Sequence, residues 1–271
     1  MKPLVYVTGA GGYIGTPLVQ KLLQDRNYNV LITFDDINET KDDGVKADIV
    51  VHLAAKLPSS DCLTEDIMST NLDATKLIAE LKCKPNAHFI LLSTDYVFKS
   101  DGEPKHEHSP YSPETIYGES KTLAEQYILN KKCLNGAVLR TSMIYGYDHP
   151  KRTNFFKFLH AKVSNNKKVG LFTDVFSRPT HITDLINFIV KTIDDKIVGI
   201  VHACGETYIN RYDLGTAFCK ANGFDTSLLQ PAMMPEDGRW PTALNLNPSQ
   251  AFLKNIKMPL EQGIVNCLER L

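Results

Sequence analysis

The chain has 271 residues, of which 43% are hydrophobic and 23% are charged. These proportions are ordinary for globular proteins and exclude a collagen, a coiled coil or a largely disordered chain. Thirty lysines and arginines against 31 aspartates and glutamates give a net charge of −1, so no excess of positive charge indicates a nucleic-acid groove or binding to an anionic membrane.

The N-terminal residues and the cysteines bear on the cellular compartment. The chain enters an apolar segment without the charged region, apolar run and cleavage site of a signal peptide. No apolar stretch approaches the ~20 residues that span a bilayer. The six cysteines are scattered and form no Cys-x-x-Cys pair, which is typical of reduced thiols. We therefore expect a cytoplasmic protein with no membrane segment.

Short apolar runs typical of strands alternate along the chain with segments of helical periodicity. The predicted strands are Leu4–Thr8, Asn29–Phe34, Asp48–Ala54, Phe89–Ser93 and Ala137–Thr141. The predicted helices are Ile14–Gln24, Asn71–Leu81 and Ile116–Leu129. This order predicts an α/β fold with a doubly wound parallel sheet.

The regular alternation is interrupted in two places. Only about a dozen residues separate Asp36 from Asp48, the minimum for a crossover, so we expect one helix of the first half to be reduced to a loop or lost. After Tyr145-Gly146 the chain is richer in polar loops and prolines. Val198–Ala203 is a candidate for one more strand that returns to the main sheet.

A glycine-rich turn follows the first predicted strand. Gly9, Gly12 and Gly15 stand at the junction with the first predicted helix, in the order Gly-x-x-Gly-x-x-Gly. Small residues let the backbone turn tightly and approach a pyrophosphate, which the free N–H groups of the helix N-terminus bind. A purely structural turn is the alternative, but the strand–turn–helix context favours dinucleotide binding.

The second predicted strand ends in two adjacent acids, Asp35 and Asp36. Asp35 lies 20 residues after Gly15, the offset expected for an acid that binds the adenosine ribose. Two carboxylates would repel a 2′-phosphate, and Lys41 is the nearest base that follows. The predicted cofactor is therefore NAD(H) or NADP(H), with NAD(H) slightly favoured; Asp36 has the alternative of starting a turn.

A Tyr-x-x-x-Lys pattern occurs three times. The three pairs are Tyr117/Lys121, Tyr127/Lys131 and Tyr147/Lys151. Tyrosine and lysine four residues apart share one face of a helix, and the ammonium is expected to lower the pKa of the phenol so that it can transfer protons. Pro150 argues against a helix for the third pair.

The position of each pair relative to the sheet distinguishes the first from the second. Ligands bind at the carboxyl edge of a doubly wound sheet, where helices begin. Tyr117 stands at the start of its predicted helix, whereas Tyr127 lies ten residues further along and is interpreted as packing beside a surface charge. Thr94 ends a predicted strand at the same edge. Tyr117 and Lys121 are therefore the predicted catalytic pair, and the position of Thr94 at the carboxyl end of a strand fits the same site.

Together these motifs resemble the extended short-chain dehydrogenase/reductases, and among them the dTDP-4-dehydrorhamnose reductase branch. Other matching segments are His52-Leu53-Ala54-Ala55, Ser93–Phe98, Leu139-Arg140-Thr141-Ser142, Tyr145-Gly146, Asn154-Phe155, Pro179-Thr180 and Asp184-Leu185. The resemblance implies an NAD(P)-binding Rossmann domain made of residues 1–150 and about 181–205. It implies a small C-terminal substrate-binding lobe made of about 151–180 and 206–271.

The resemblance also implies an activity, the NAD(P)H-dependent reduction of a dTDP- or UDP-linked 4-keto-6-deoxy sugar, as in dTDP-rhamnose biosynthesis. Tyr117 would donate a proton to the keto oxygen, Lys121 would bind the nicotinamide ribose, and Thr94 would hydrogen-bond the keto oxygen. The implied cofactor-binding positions are Gly9, Gly12, Tyr13, Ile14, Gly15, Asp35, Leu53, Ala54, Ala55, Tyr117 and Lys121. Asn154 and Arg239 are candidates for the substrate diphosphate, with an exposed polar loop residue as the alternative for each.

Two other functions stay open. A nucleotide-sugar 4-epimerase or dehydratase-type enzyme would use the same residues without net consumption of the cofactor. A non-catalytic regulatory subunit, like the methionine adenosyltransferase beta subunit, is disfavoured by the complete Thr-Tyr-Lys set. No metal site is predicted, because His106-Glu107-His108 reads as a solvated loop. The expected partner is a nucleotide sugar, and a homodimer is one option for the assembly.

Overall fold

The computed structural model describes residues 2–33, 37–57, 64–146, 149, 153–235 and 241–267. The strands are β1 (Leu4–Thr8), β2 (Asn29–Ile32), β3 (Ala47–His52), β4 (Cys83–Thr94), β5 (Leu134–Thr141), β6 (Ile144–Tyr145), β7 (Val169–Phe172), β8 (Phe176–Ser177), β9 (Thr180–His181), β10 (Gly199–His202), β11 (Ile209–Asn210) and β12 (Leu229–Ala232). The helices are α1 (Gly15–Asp25), α2 (Thr64–Met68), α3 (Ala74–Leu81), α4 (Ile116–Asn130), α5 (Phe155–Val163), α6 (Ile182–Asp194), α7 (Arg211–Ala221), α8 (Gln250–Leu253) and α9 (Leu260–Asn266).

The chain divides into two compact units. The first unit comprises Met1–Phe98, Pro110–Arg140 and Ile186–Val201. The second comprises Lys99–Ser109, Thr141–Leu185 and His202–Leu271. None of the helices in the described ranges is long and apolar enough to cross a membrane.

The first unit is built on one sheet with the strand order β10-β5-β4-β3-β1-β2. β1 pairs in parallel with both β2 and β3, and β3 pairs in parallel with β4. The predicted doubly wound parallel sheet is confirmed, and the strand predicted at Val198–Ala203 does return to it as β10. In this order the ends of β1, β3 and β4 meet at one edge, so side chains that follow these strands are brought together.

Two connections of the first unit depart from the regular pattern. Between β2 and β3 the described residues contain one 3-10 turn, Ile37–Glu39, in place of a crossover helix, as the short spacing predicts. The helix predicted from Asn71 begins instead as a π-helical turn over Ser69–Asp73, which leads into α3. β4 starts six residues before the predicted Phe89, because its exposed residues 84–86, a lysine, a proline and an asparagine, conceal the strand pattern.

Burial of one apolar stripe explains why α1 forms and where it lies. Leu18, Val19 and Leu22 are buried against the sheet, and their spacing of three to four residues matches one face of a helix. The next residue, Leu23, points away and is 60% exposed. The helix ends at Asp25, and the next residue, Arg26, adopts the left-handed conformation with φ of 56°.

The second unit has its own core and a pinned loop. Tyr145, Phe156 and Phe218 pack ring against ring, with centroids 5.3 Å apart for the first two and 5.1 Å for the last two. The segment 99–109 is held by backbone hydrogen bonds from Gly102 to Ala243 at 2.9 Å and from residue 105 to residue 245 at 2.8 Å. The His106-Glu107-His108 segment lies in a turn of this loop, where Asn247 and Ser249 hydrogen-bond the first two side chains.

Adjacent leucines on α1 give a matched test of this packing. Leu22→Ala is expected to lower the free energy of unfolding of the first unit by about 2–5 kcal/mol, because it leaves a cavity in a fully buried site. Leu23→Ala, the same substitution at the exposed neighbour, is expected to change it by about 0.5 kcal/mol or less. Urea unfolding followed by far-UV circular dichroism measures both, and equal midpoints for the two variants would contradict the assigned orientation of α1.

Candidate active site

The glycine turn between β1 and α1 is closed to side chains. Gly9 has φ of 67°, and a Cβ there would lie 2.8 Å from the backbone nitrogen of Ala54. A Cβ on Gly15 would lie 2.1 Å from the carbonyl oxygen of Gly9, and Gly12 donates its N–H to that same oxygen at 2.9 Å. Within the part of the chain that the structure describes, no side-chain hydrogen bond caps the N-terminus of α1 at Ile14. The turn therefore fits a pyrophosphate that approaches the backbone and the helix N-terminus directly.

A buried histidine fixes the backbone on the other side of this turn. Thr8 Oγ1 accepts hydrogen bonds from the N–H groups of Leu53 and Ala54, each at 3.2 Å. His52 contacts Thr8 Oγ1 through Nδ1 and Thr75 Oγ1 through Nε2, both at 2.9 Å. Leu53 and Ala54, two predicted cofactor-binding residues, are thereby held against the glycine turn.

The hydrogen-bond directions define the protonation state of His52. The hydroxyl of Thr75 donates to the carbonyl of Asn71 at 2.7 Å, so its oxygen must accept from Nε2–H of His52. Nδ1 then carries no proton and accepts from the hydroxyl of Thr8. Burial, with a smaller contribution from the charge of Lys121, lowers the pKa of His52 to about 3. The imidazole is neutral and serves as a structural bridge.

The three predicted catalytic residues lie in the first unit, at the end of β4 and in the first two turns of α4. Thr94 ends β4, and its Oγ1 donates to Asp95 at 3.1 Å and accepts from the N–H of Tyr96 at 3.3 Å. Tyr117 stands in the first turn of α4, and its ring meets that of Tyr96 edge-on at 5.6 Å. Lys121 follows one turn later and is 2% exposed.

A glycine that sequence reasoning missed makes this arrangement possible. A Cβ on Gly118 would lie 2.1 Å from the carbonyl oxygen of Tyr96, so only glycine lets α4 approach the turn after β4 so closely. Thr115 starts the helix by accepting the N–H of Gly118 at 3.0 Å. Gly118 escaped notice because nothing local to α4 indicates the approach of a turn some twenty residues away.

A second missed residue, Asn71, holds the same helix from the side of β3. Its side chain is fully buried, donates to Ser120 Oγ at 3.0 Å, and both donates to and accepts from the backbone of Lys56. Ser120 in turn donates to the carbonyl of Tyr117 at 2.8 Å. Asn71 lies in the π-helical turn, which is the irregularity that marks it and which the sequence pattern does not reveal.

The pKa values of the site depart from the expectation based on sequence. Burial, reinforced by the charge of Asp95, raises the pKa of Tyr117, and a side-chain hydrogen bond between Tyr117 and Thr94 opposes this rise. The predicted lowering of the Tyr117 pKa by Lys121 is therefore wrong, because the cost of burying a phenolate and the charge of Asp95 determine the direction of the shift. Burial also lowers the pKa of Lys121 to about 8, against the opposing charge of Glu125. At neutral pH Tyr117 is a phenol, the form that donates a proton.

The second Tyr-x-x-x-Lys pair is a surface cluster, as predicted. Tyr127 donates its hydroxyl to Glu80 at 2.9 Å, and Lys131 hydrogen-bonds that hydroxyl with its ammonium 4.7 Å from the ring centroid. Glu80 is largely exposed and lies on α3. The third pair, with its tyrosine at 147, lies outside the described residues.

The remaining predicted site residues differ in what the structure describes. Asn154 lies in the second unit and caps α5 by accepting the N–H of Lys157 at 2.9 Å, a structural task that its sequence position did not reveal. Asp35 and Arg239 lie outside the described residues. The contact of Asn154 with a diphosphate stays a prediction.

Comparison with known proteins places the chain in a family. Residues 1–267 match the family model described as "RmlD substrate binding domain". The chain belongs to this family. Among relatives, the spore coat polysaccharide biosynthesis protein SpsK of Bacillus subtilis is 29% identical over 83% of this chain and 81% of its own length.

Two further relatives and one solved structure carry other names. A dTDP-4-dehydrorhamnose reductase of Aggregatibacter actinomycetemcomitans is 26% identical over 84% of this chain and 80% of its own length. The methionine adenosyltransferase 2 subunit beta of Xenopus laevis is also 26% identical, over 88% and 78%. The crystal structure of a Bacillus anthracis dTDP-4-dehydrorhamnose reductase in complex with NADP superposes with a TM-score of 0.86 over 100% of both chains at 23% identity, which establishes the shared fold.

The glycine turn yields a direct test. Gly15→Ala is expected to weaken the binding of NADH at least about tenfold (~1.4 kcal/mol), because its Cβ displaces the carbonyl of Gly9. Gly170→Ala is the matched control, since the nearest atom to its Cβ is the methyl of Ala232 at an ordinary 3.8 Å. Titration of NADH fluorescence measures both, and a dissociation constant unchanged by Gly15→Ala would exclude this turn from the binding site.

Proposed function

We propose that the chain is an oxidoreductase that uses a reduced nicotinamide cofactor to convert a nucleotide-linked 4-keto-6-deoxy sugar to its 4-hydroxy product. The observation that carries the proposal is the position of Thr94, Tyr117 and Lys121 at the sheet edge that also holds the glycine turn. The family includes a relative named as a dTDP-4-dehydrorhamnose reductase, which supports this substrate class.

Each of the three residues has a task in that reaction. Tyr117, held as a neutral phenol, donates its proton to the keto oxygen as charge develops there. Thr94 turns its hydroxyl from Asp95 to donate a hydrogen bond to the same oxygen, which orients the substrate. Lys121 binds the nicotinamide ribose, and its charge offsets the phenolate that remains on Tyr117. The dinucleotide, when bound, supplies the hydride for the carbonyl carbon.

Two parts of the chain divide the binding of the cofactor and of the sugar between them. Residues 1–150 and about 181–205 form the dinucleotide-binding domain, and about 151–180 and 206–271 form the substrate lobe. Asn154 and Arg239 contact the diphosphate of a dTDP- or UDP-sugar, with Arg239 suited to a bidentate contact. The protein works in the cytoplasm, as a homodimer if it assembles.

A relative with a different name motivates the second candidate, a non-catalytic regulatory subunit. The beta subunit of a methionine adenosyltransferase is as similar to this chain as the Aggregatibacter reductase, at 26% identity. A binding subunit would have no need of a protonated tyrosine beside a buried lysine, so the site favours catalysis. Co-purification with a larger synthetase would favour the second candidate, and tightly retained cofactor without net consumption would favour a 4-epimerase.

Two tyrosines on α4 provide a matched test of the reductase. Tyr117→Phe removes the proton donor and is expected to lower kcat by about 10²–10⁴-fold, the range for general acid catalysis. Tyr127→Phe is the same substitution on the same helix, in the surface cluster with Glu80, and is expected to leave kcat unchanged. Loss of reduced-nicotinamide absorbance with dTDP- and UDP-4-keto-6-deoxy sugars measures the rate.

Three results of these rate measurements would contradict the reductase or the choice of tyrosine. Wild-type protein that consumes no reduced cofactor with any of these sugars would contradict the reductase, as would a Tyr117→Phe variant as fast as wild type. A Tyr127→Phe variant slowed as much as Tyr117→Phe would show that the wrong pair had been assigned.

The choice of cofactor depends on Asp35. NADH is expected to have the lower dissociation constant, since the carboxylates at 35 and 36 repel a 2′-phosphate. Asp35→Asn is expected to bring the dissociation constants of NADPH and NADH closer together. Asp42→Asn, the same substitution on an exposed residue of the same connection, is expected to leave the ratio of the two constants unchanged. Tighter binding of NADPH by the wild type would contradict the prediction.

A further inference from the structure

Glu125 and Arg140 are fully buried charged side chains to which the proposed reaction gives no task. Arg140 Nη2 donates to Glu125 at 2.7 Å, and its Nε lies 3.2 and 3.1 Å from the two carboxylate oxygens. The guanidinium carbon lies 4.9 Å from the ring centroid of Phe98 and 5.0 Å from that of Tyr111. Because a well-packed apolar pair is often as stable as a buried ion pair, stability alone does not account for these charges.

The carboxylate of Glu125 also connects the two elements that carry the catalytic residues. Ser93 Oγ donates to one carboxylate oxygen, and the hydroxyl of Tyr111 donates to the other at 2.9 Å. Ser93 immediately precedes Thr94 on β4, whereas Glu125 belongs to α4, the helix of Tyr117 and Lys121. One side chain therefore ties the end of β4 to the catalytic helix.

Glu125 also faces Lys121 along α4. Residues four apart lie on the same side of a helix, one turn above the other. Tyr117 lies one turn before Lys121 on the same helix, and among the described residues His52, whose imidazole is neutral, interacts with the charge of Lys121 from the end of β3. Arg140 of β5 forms an ion pair with Glu125. Within the described residues, Glu125 is the acid whose charge raises the pKa of Lys121, against the lowering by burial.

We propose that Glu125 is a positioning residue of the active site that acts through Lys121 and Thr94. Its carboxylate is fixed by hydrogen bonds to Arg140, Ser93 and Tyr111, and it supplies the negative charge that keeps the ammonium of Lys121 protonated. The same hydrogen bonds set the end of β4 against α4. The inference rests on the proposed function in one respect, the contact between Lys121 and the ribose of the dinucleotide.

The test reads the protonation of Lys121 through dinucleotide binding. The dissociation constant of NADH is measured by fluorescence from about pH 6.5 to 10, a range that brackets a shifted lysine. In the wild type, affinity is expected to be high at low pH and to fall as Lys121 loses its proton near its pKa of about 8. Glu125→Gln removes the charge that favours the ammonium, so the midpoint of this loss is expected to move down by about one pH unit or more.

Two variants control for effects other than charge at this position. Glu119→Gln, the same substitution on an exposed residue of α4, is expected to leave the midpoint unchanged. Glu125→Asp keeps the charge and is expected to restore the midpoint most of the way to its wild-type value. Because Glu125→Gln leaves Arg140 buried without its counter-charge, Glu125→Gln combined with Arg140→Gln is the second variant, and it is expected to show the same direction of shift.

The results distinguish the role of Glu125 from the proposed reduction of a keto sugar. An unchanged midpoint in folded Glu125→Gln or in the double variant would overturn the proposal, as would an equal shift in Glu119→Gln or a wild-type affinity that does not change with pH. A protein that binds NADH with the expected shifts but reduces no keto sugar would contradict the proposed function and leave the role of Glu125 supported.

Discussion

The close approach of α4 to the turn after β4 is the constraint on which the site depends. Gly118 leaves no room for a Cβ beneath the carbonyl of Tyr96, and this contact brings Tyr117 to the end of the strand that carries Thr94. A parallel sheet alone would place a helix start and a strand end at the same edge, but it would leave their separation undefined by several ångströms. Because proton transfer needs hydrogen-bond distances, the close approach that the glycine allows is what lets residues at this edge act together in catalysis.

Burial then determines what the ionisable groups can do. It raises the pKa of Tyr117 and lowers the pKa values of Lys121 and His52, so each group is biased toward its neutral form. A neutral phenol suits a donor of protons in reduction, and a neutral imidazole suits a bridge between two hydroxyls. Lys121 is the exception, because its task requires a charge in a site that disfavours one. The buried carboxylate of Glu125 is the group that opposes this bias.

The sequence predicted what depends on local pattern and missed what depends on distant contact. The bounds of β1 and the start of α4 were correct, because alternation and helix-start signals are local. Gly118, Asn71 and Glu125 were missed, since each matters through a partner that lies far away in the chain. The pKa of Tyr117 was predicted in the wrong direction for the same reason, because the spacing to a lysine is visible in the sequence and the burial of the phenol is not.

The two tyrosine–lysine pairs of α4 show why contact between the two side chains is a poor guide to catalysis. Lys131 hydrogen-bonds the hydroxyl of Tyr127, yet this pair lies on the surface beside Glu80, where water screens its charges. Lys121 is 2% exposed, and burial lowers its pKa to about 8, so its charge lies where water screens it little. A preorganised charge gains its effect from the exclusion of water, because a site of low dielectric constant strengthens its interaction with the reacting group. The buried pair is therefore the one that can act on a substrate.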